Sequence, residues 1–128
     1  MSDRRIILPR DKHDTLAVDQ LADLGYPIIS PVLPDLVKWL QDANWPVAGP
    51  ISDLLVKTGK PVLPLLLEVL KGNDAIWKYW CLELVVRRLP SDVVADLRPE
   101  LERLAQYPSD SDRQEEVDAS AKSLRAGA

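Results

Sequence analysis

The sequence contains no phenylalanine and only one cysteine, one methionine and one histidine among its 128 residues. A single cysteine, Cys81, excludes an intramolecular disulfide and indicates a reducing compartment. One histidine without a cysteine cluster does not form a recognised zinc ligand set. Phosphate-loop, Gly-x-Ser-x-Gly and His-Glu-x-x-His motifs are missing as well. The sequence therefore predicts no metal site, no cofactor and no enzyme of a familiar class.

Long apolar runs and an excess of positive charge are also lacking. No run approaches the roughly 18 residues of a membrane span, and the apolar stretch Ile6–Leu8 is too short for a signal peptide. The net charge is −4, which favours neither nucleic acid nor an anionic membrane. Residues 1–90 carry eleven basic and eleven acidic side chains, so the whole excess lies in residues 91–128. We expect a cytoplasmic protein with a solvated last third.

Signals for β-strands and hairpins are scarce. No segment alternates apolar and polar residues over a strand length, and neither Asn-Gly nor Asp-Gly occurs. Instead, Pro-Val-Leu-Pro appears twice, at Pro31–Pro34 and Pro61–Pro64, each time at the start of a leucine-rich stretch. Such a repeat is typical of stacked helical hairpins. The sequence predicts a single all-α domain over residues 1–128, with about six or seven helices in antiparallel pairs.

The first four predicted helices begin at polar residues or at prolines. Helix one covers about Thr15–Leu24, with Asp14 as its N-cap. Helix two begins at Ser30, whose hydroxyl we expect to cap it ahead of the first proline. Helix three follows Asn44. Helix four begins at Pro61 and is apolar nearly all round, so we expect it to be central and the most buried.

Three further helices follow in the second half, after an N-terminal arm over residues 1–13. Helix five is capped by Asn73 or Asp74. Helix six is capped by Ser91 and should be kinked or split by Pro99. Residues 109–128 form a weakly amphipathic capping helix. The expected inward residues of helix five are Trp77, Trp80, Cys81 and Leu84, and those of the last helix are Val117, Ala121 and Leu124.

Parts of the chain resemble known helical proteins. The turns and helices at Asp42–Leu54, Pro64–Leu70 and Asp74–Leu84 resemble HEAT-like repeats, although Ala48 and Lys78 stand where such turns commonly carry arginine. Nearly the whole chain is similar to a small bacterial domain-of-unknown-function family (number 5071). The motifs that carry this similarity are Leu8–Asp14, Leu24–Pro27, Asn44–Ala48, Ile76–Trp80 and Glu115–Asp118. The resemblance implies a short HEAT-like α-α superhelix and supplies no activity or catalytic residue.

A non-catalytic protein-interaction module is the primary functional hypothesis. Short helical solenoids bind proteins or peptides on a concave surface formed by one helix of each pair, here helices two, four and six. The side chains that this surface would present are Asp35, Lys38, Trp39, Glu68, Lys71, Glu100 and Arg103. Trp39 lies at the edge of an apolar stripe and is the candidate binding anchor. An immunity- or antitoxin-like inhibitor of a protein is an alternative within the same class.

A small hydrolytic or metal-dependent enzyme is the alternative from another class. His13 lies between Asp11 and Asp14, and carboxylates can orient an imidazole for proton transfer. Glu83 could contribute a buried carboxylate with a shifted pKa. The competing interpretation is that Asp14 caps helix one in a charged loop and that Glu83 forms a surface pair with Arg87, four residues later.

Overall fold

The computed structural model describes residues 6–127, and all the regular structure in this range is helical. The α-helices are α1 (Thr15–Leu24), α2 (Leu33–Lys38), α3 (Ala48–Thr58), α4 (Leu63–Lys71), α5 (Ala75–Leu84), α6 (Ser91–Val94), α7 (Arg98–Gln106), α8 (Asp110–Gln114) and α9 (Val117–Gly127). Short 3₁₀ segments lie at Ser30–Val32, Trp39–Gln41, Lys60–Val62, Val86–Arg88 and Ala95–Leu97. The predicted all-α class is confirmed. The first five residues of the predicted N-terminal arm lie outside the described residues.

Two helices begin at the aspartates that the sequence indicates. The Asp14 carboxylate accepts the backbone N–H of Ala17 at 3.3 Å, and α1 occupies the predicted range. The Asp74 carboxylate likewise accepts the N–H of Trp77 at 3.1 Å and starts α5. Each carboxylate satisfies a donor that the first helical turn leaves without an intrahelical partner. The predicted Asp14 cap is therefore confirmed, and of the two residues predicted for α5, Asn73 and Asp74, the cap is Asp74.

The Pro-Val-Leu-Pro repeat starts α2 and α4 in the same way. A proline has no N–H, so Pro34 cannot bond the carbonyl of Ser30 in α-helical register. The N–H of Leu33 takes that carbonyl instead, and a 3₁₀ turn precedes α2. The second copy repeats this arrangement, with Leu63 bonded to the carbonyl of Lys60. The expected Ser30 hydroxyl cap is wrong, because Ser30 is already inside the 3₁₀ turn and caps no helix through its side chain.

Predicted helix six is divided, as Pro99 suggests. The helix α6 ends at Val94, a 3₁₀ turn follows, and α7 begins with Pro99 in its first turn. The mechanism is again the missing proline N–H, since Arg98 supplies the hydrogen bond to the Ala95 carbonyl. The predicted Ser91 cap is wrong: Ser91 is the first residue of α6, and its side chain makes no capping bond.

The last predicted helix is two helices joined by a corner. Ser109 and Asp112 form a capping box that starts α8, and Glu116 at the corner has a left-handed φ of 62°. The expected apolar stripe of Val117, Ala121 and Leu124 is buried in α9, which packs along α7 and α5. The prediction of one continuous helix is wrong, since the corner is needed to return α9 to the core. No glycine or proline marks this corner in the sequence.

The buried face of α5 matches the expected one only in part, since Cys81 is buried but Leu84 is half-buried. Trp77 and Trp80 are only half-buried, whereas Lys78 lies in the interior. The Lys78 ammonium donates to both oxygens of the Asp112 carboxylate, at 3.0 and 3.3 Å, and fixes α8 against α5. Burial of a charge is possible when it is paired and hydrogen-bonded. Lys78 is therefore a core residue of α5, although the apolar pattern predicted Trp77 and Trp80 in the core.

Candidate functional site

An apolar groove of about 230 Å³ lies among α2, α4 and α5. Its lining residues are Pro34, Val37, Lys38, Leu65, Glu68, Val69 and Trp77. On each of the first two helices these residues follow the spacing i, i+3, i+4, which places three side chains on one face. The two walls of the groove therefore carry side chains in the same helical register.

The groove exists because α4 is not enclosed on all sides. Leu66 and Leu70 are completely buried, but Leu65 is half-buried and Glu68 is exposed. A helix that is apolar nearly all round in sequence therefore still keeps one face open. The helix contacts α2, α5 and α7, and these neighbours leave one of its faces open. Leu65 thus lines the groove, although the sequence singled it out neither as a core residue nor as a site residue.

Trp77 closes one side of the groove with a fixed side chain. Its indole Nε1–H donates to the carbonyl of Val37 at 3.0 Å. A half-buried tryptophan whose N–H is satisfied presents its ring as a rigid apolar surface. The hydrogen bond also ties α5 to the last turn of α2. The helical spacing of Trp77 with Cys81 favoured a core position, and only the neighbouring helices reveal its part in the groove.

Two side chains of opposite charge are among the residues that line the groove. Lys38 on α2 and Glu68 on α4 both line it, and the Lys38 side chain is 66% exposed. Lys38 lies 3.9 Å from Asp35, a distance at which an exposed pair contributes little stability. Lys71 is exposed in the last turn of α4. Four of the predicted binding residues therefore lie on α2 and α4, and two of them line the groove.

Glu100 and Arg103 connect α7 to α4, with Glu100 buried and Arg103 exposed. Glu100 is only 7% exposed and its carboxylate is bound by the Arg103 guanidinium. Arg103 also donates to the Leu70 carbonyl at 3.1 Å, which satisfies an acceptor in the last turn of α4. The hydrogen bond that Arg103 donates to the Glu100 carboxylate raises the pKa of Arg103. The expectation that Glu100 is presented to a partner is wrong, because it is needed to orient Arg103 toward α4.

Trp39, the predicted binding anchor, packs against another tryptophan. Its ring meets that of Trp45 edge to face, with centroids 5.5 Å apart and an interplanar angle of 75°. Both residues are half-buried against the core. Trp39 does not line the α2–α4 groove. Of the half-buried tryptophans, Trp77 is the one that lines the groove.

The His13 loop uses its carboxylates to hold the backbone. Asp11 accepts the N–H of His13 at 2.8 Å, and Asp14 accepts the N–H of Arg10 at 3.0 Å in addition to capping α1. His13 itself is exposed. Within residues 6–127, no three histidine, cysteine, aspartate or glutamate side chains are grouped so as to hold a metal ion.

The other two residues considered for chemistry lie in α5. Glu83 pairs with Arg87 at 2.7 Å, as predicted, and accepts the hydroxyl of Ser120 on α9 at 2.6 Å. The hydrogen bond from Arg87 lowers the pKa of Glu83, so this carboxylate is ionised and weakly basic at neutral pH. Cys81 is completely buried, and burial raises the pKa of its thiol. It therefore remains protonated as a core residue, as predicted.

Fold and site together define a small all-helical protein with an open apolar groove between helices that begin alike. The chain belongs to the family described as a domain of unknown function (DUF5071), whose model matches residues 7–124. The predicted family membership is thereby confirmed. A search of curated proteins found no match. Among the helices in the described part of the chain, none has the length and apolarity needed to cross a membrane.

Proposed function

We propose that this protein is a non-catalytic interaction module that binds a segment of a partner protein in the α2–α4 groove. The observation that carries the proposal is a groove lined by apolar side chains from α2 and α4. Val37 and Leu65 lie on opposite walls, and Trp77 closes the groove beside them. An amphipathic helix presents apolar anchors at the same i, i+3, i+4 spacing and fits grooves of this kind.

The size of the groove favours a peptide anchor over a small-molecule cofactor. Pockets for small ligands typically measure about 300–1,000 Å³ and enclose most of the ligand. The α2–α4 groove measures about 230 Å³ and is open along its length. It has room for one or two apolar side chains of a partner. The rest of the partner would lie along the surface of the two helices.

Charges at the edges of the groove would set the orientation of the bound segment. Lys38 and Glu68 have opposite signs, so they add no net field that would steer a partner from a distance. They would instead favour a segment with an acidic residue beside Lys38 and a basic residue beside Glu68. Such complementarity contributes to specificity and register more than to affinity.

We also propose that the helices follow a HEAT-like arrangement, in which α2, α4 and α7 are successive second helices. The contacts between α2 and α4 and between α4 and α7 support this order. The identical 3₁₀ starts of α2 and α4 support it as well. In such a stack the groove belongs to the face on which solenoid repeats bind their partners.

The proposal predicts that Leu65→Gln weakens partner binding about tenfold or more, whereas Leu67→Gln leaves it unchanged. Both leucines are half-buried on α4, but only Leu65 lines the groove. Loss of a central apolar anchor reduces affinity by about tenfold or more. The measurement is quantitative affinity capture from the source organism with wild type and both variants, each first matched for thermal stability. Recovery of the same partners by all three proteins would overturn the proposal.

A further inference from the structure

A second groove lies between α5 and the α8–α9 corner. It consists of two adjoining cavities of about 520 and 270 Å³, and Ile76, Gln114 and Glu115 line both of them. Asp74 lies in the larger cavity, at the start of α5. The smaller cavity extends to the aromatic residues of the same helix. We call this the acidic–aromatic groove, and it shares no lining residue with the α2–α4 groove.

The charged side chains that line this groove are all negative. They are Asp74, Glu115 and Glu116, and all three are exposed. Two neighbouring basic residues are already paired, since Lys78 binds Asp112 in the interior and Arg113 binds Asp110. Lys71, three residues before Asp74, is exposed but does not line the groove. The capping bond from the Trp77 N–H and the helix dipole of α5 offset part of the negative charge of Asp74. The two glutamates form no ion pair within residues 6–127, so their charge is available to a partner.

Apolar and aromatic surface lies beside these carboxylates. Ile76 is 48% exposed, which is unusual for an isoleucine in a helix that also contributes to the core. Tyr79 and Trp80 pack edge to face with ring centroids 5.0 Å apart and an interplanar angle of 74°. Aromatic faces attract cations, and tryptophan does so most strongly. An arginine suits such surroundings because its planar guanidinium stacks on rings and bonds carboxylates at its edge.

Backbone strain holds one of the carboxylates at the corner. Glu116 has a left-handed φ of 62°, a conformation that glycine adopts freely and a branched or long side chain does not. Such strained conformations are concentrated at functional sites. Here it serves to turn α9 toward the core, which glycine would do at lower cost. A glutamate at this position therefore contributes its side chain to the groove.

We propose that the acidic–aromatic groove binds a basic segment of a partner protein. An arginine side chain would lie against Trp80 and Tyr79 with its guanidinium bonded to Glu115 and Glu116. An apolar residue next to that arginine would cover Ile76. The complementary charge of the lining carboxylates is what selects this occupant. The proposal does not depend on the α2–α4 groove, because the two surfaces are separate.

A nuclear magnetic resonance titration of the full chain tests the proposal. The probes are two capped peptides, Leu-Arg-Arg-Leu and Leu-Glu-Glu-Leu, and the signals are the Trp80 indole N–H and the backbone amides of Ile76 and Glu115. We expect concentration-dependent shifts at these three signals with the basic peptide and none with the acidic one. Equal shifts with both peptides, or shifts spread over the whole surface, would overturn the proposal.

Matched variants separate a defined site from general charge attraction. Glu115→Gln/Glu116→Gln should weaken binding of the basic peptide at least fivefold, about 1 kcal/mol. Asp19→Asn/Asp23→Asn removes the same charge from exposed positions on α1 and should leave binding unchanged. Equal weakening by the two double variants would refute the site. Thermal unfolding of all the proteins shows that each remains folded.

Discussion

Lys78 and Asp112 are the most enclosed pair of opposite charges among the described residues, with side chains 5% and 3% exposed. Both oxygens of the Asp112 carboxylate have hydrogen-bond partners, because the carboxylate also accepts the N–H of Ser109 in the capping box of α8. Removing water from two charges is costly, and their attraction offsets that cost only when both are present. The pair therefore specifies how α8 meets α5 more than it adds net stability.

Removal of one partner should be far more damaging than removal of both. Lys78→Met leaves Asp112 buried without its cation and should lower the free energy of unfolding by about 3–5 kcal/mol. Lys78→Met/Asp112→Leu should recover most of that loss, with about 1 kcal/mol missing from the broken capping box. Urea unfolding, monitored by circular dichroism, measures the free energy of unfolding of the single and the double variant. A double variant as unstable as the single one would show that packing of the lysine stem matters more than charge.

At the scale of single helices, α4 separates a core face from an open face. Leu66 has no exposed surface, while its neighbour Leu65 lines the groove. The two residues share chemistry and helix, so they form an internal comparison. The difference between them arises from which side of α4 the helices α2, α5 and α7 cover.

Truncation of these two leucines should have unequal effects. Leu66→Ala removes a fully buried side chain and should lower the free energy of unfolding by about 2–5 kcal/mol, since a cavity remains. Leu65→Ala should cost about 1 kcal/mol or less, because its side chain is partly hydrated already. Thermal and urea denaturation give both values. Similar losses at the two positions would mean that the groove side of α4 is enclosed in solution.

At the scale of the whole molecule, α9 closes the chain back onto α5. Val117 and Ala121 supply the buried contacts, and a polar network completes them. Glu83 accepts from Ser120, while Arg87 donates to Ser123 at 3.2 Å. The network joins residues more than thirty positions apart, so it forms only once the tertiary structure is in place.

Acid should weaken this closure at Glu83. Its pKa is lowered in the folded protein from the usual 4.5, mainly by the Arg87 hydrogen bond. A lowered pKa means that the carboxylate stabilises the fold fully above pH 4.5 and loses this contribution as the pH falls through the folded value. The stability difference between wild type and Glu83→Gln should therefore shrink below that pH. Because the pair is partly exposed, we expect about 1 kcal/mol or less at neutral pH.

Urea unfolding between pH 7 and pH 3 measures this difference, and Glu68→Gln serves as the control. Glu68 is exposed on α4 and has no bonded partner among the described residues. The free energy of unfolding of Glu68→Gln should differ only slightly from that of wild type. This difference should not show the pH dependence expected for Glu83→Gln. A Glu83→Gln difference that stays constant down to pH 3 would contradict the assigned role of the carboxylate.

The sequence by itself determined the local features of this protein. Asp14 and Asp74 predict the starts of α1 and α5, and Pro99 predicts the division of helix six. Each follows from hydrogen bonds within a few residues, which depend on side-chain and proline chemistry and on little else. The all-α class and the family membership could also be predicted, because they too depend on short sequence patterns. Ser30 is an exception among these local features. The second proline of its repeat leads to a 3₁₀ turn before α2, so Ser30 lies within that turn and does not cap the helix.

Tertiary structure alone decided which side chains lie inside and which are open. The helical period identifies an apolar face, but neighbouring helices decide how much of it they cover, and so Leu65 and Trp77 line a groove. A long-range partner decides whether a charge can be buried, as Asp112 does for Lys78. The Glu116 corner is set by the burial of α9, which outweighs a local backbone preference. Candidate sites therefore came from packing between distant segments, which no local pattern encodes.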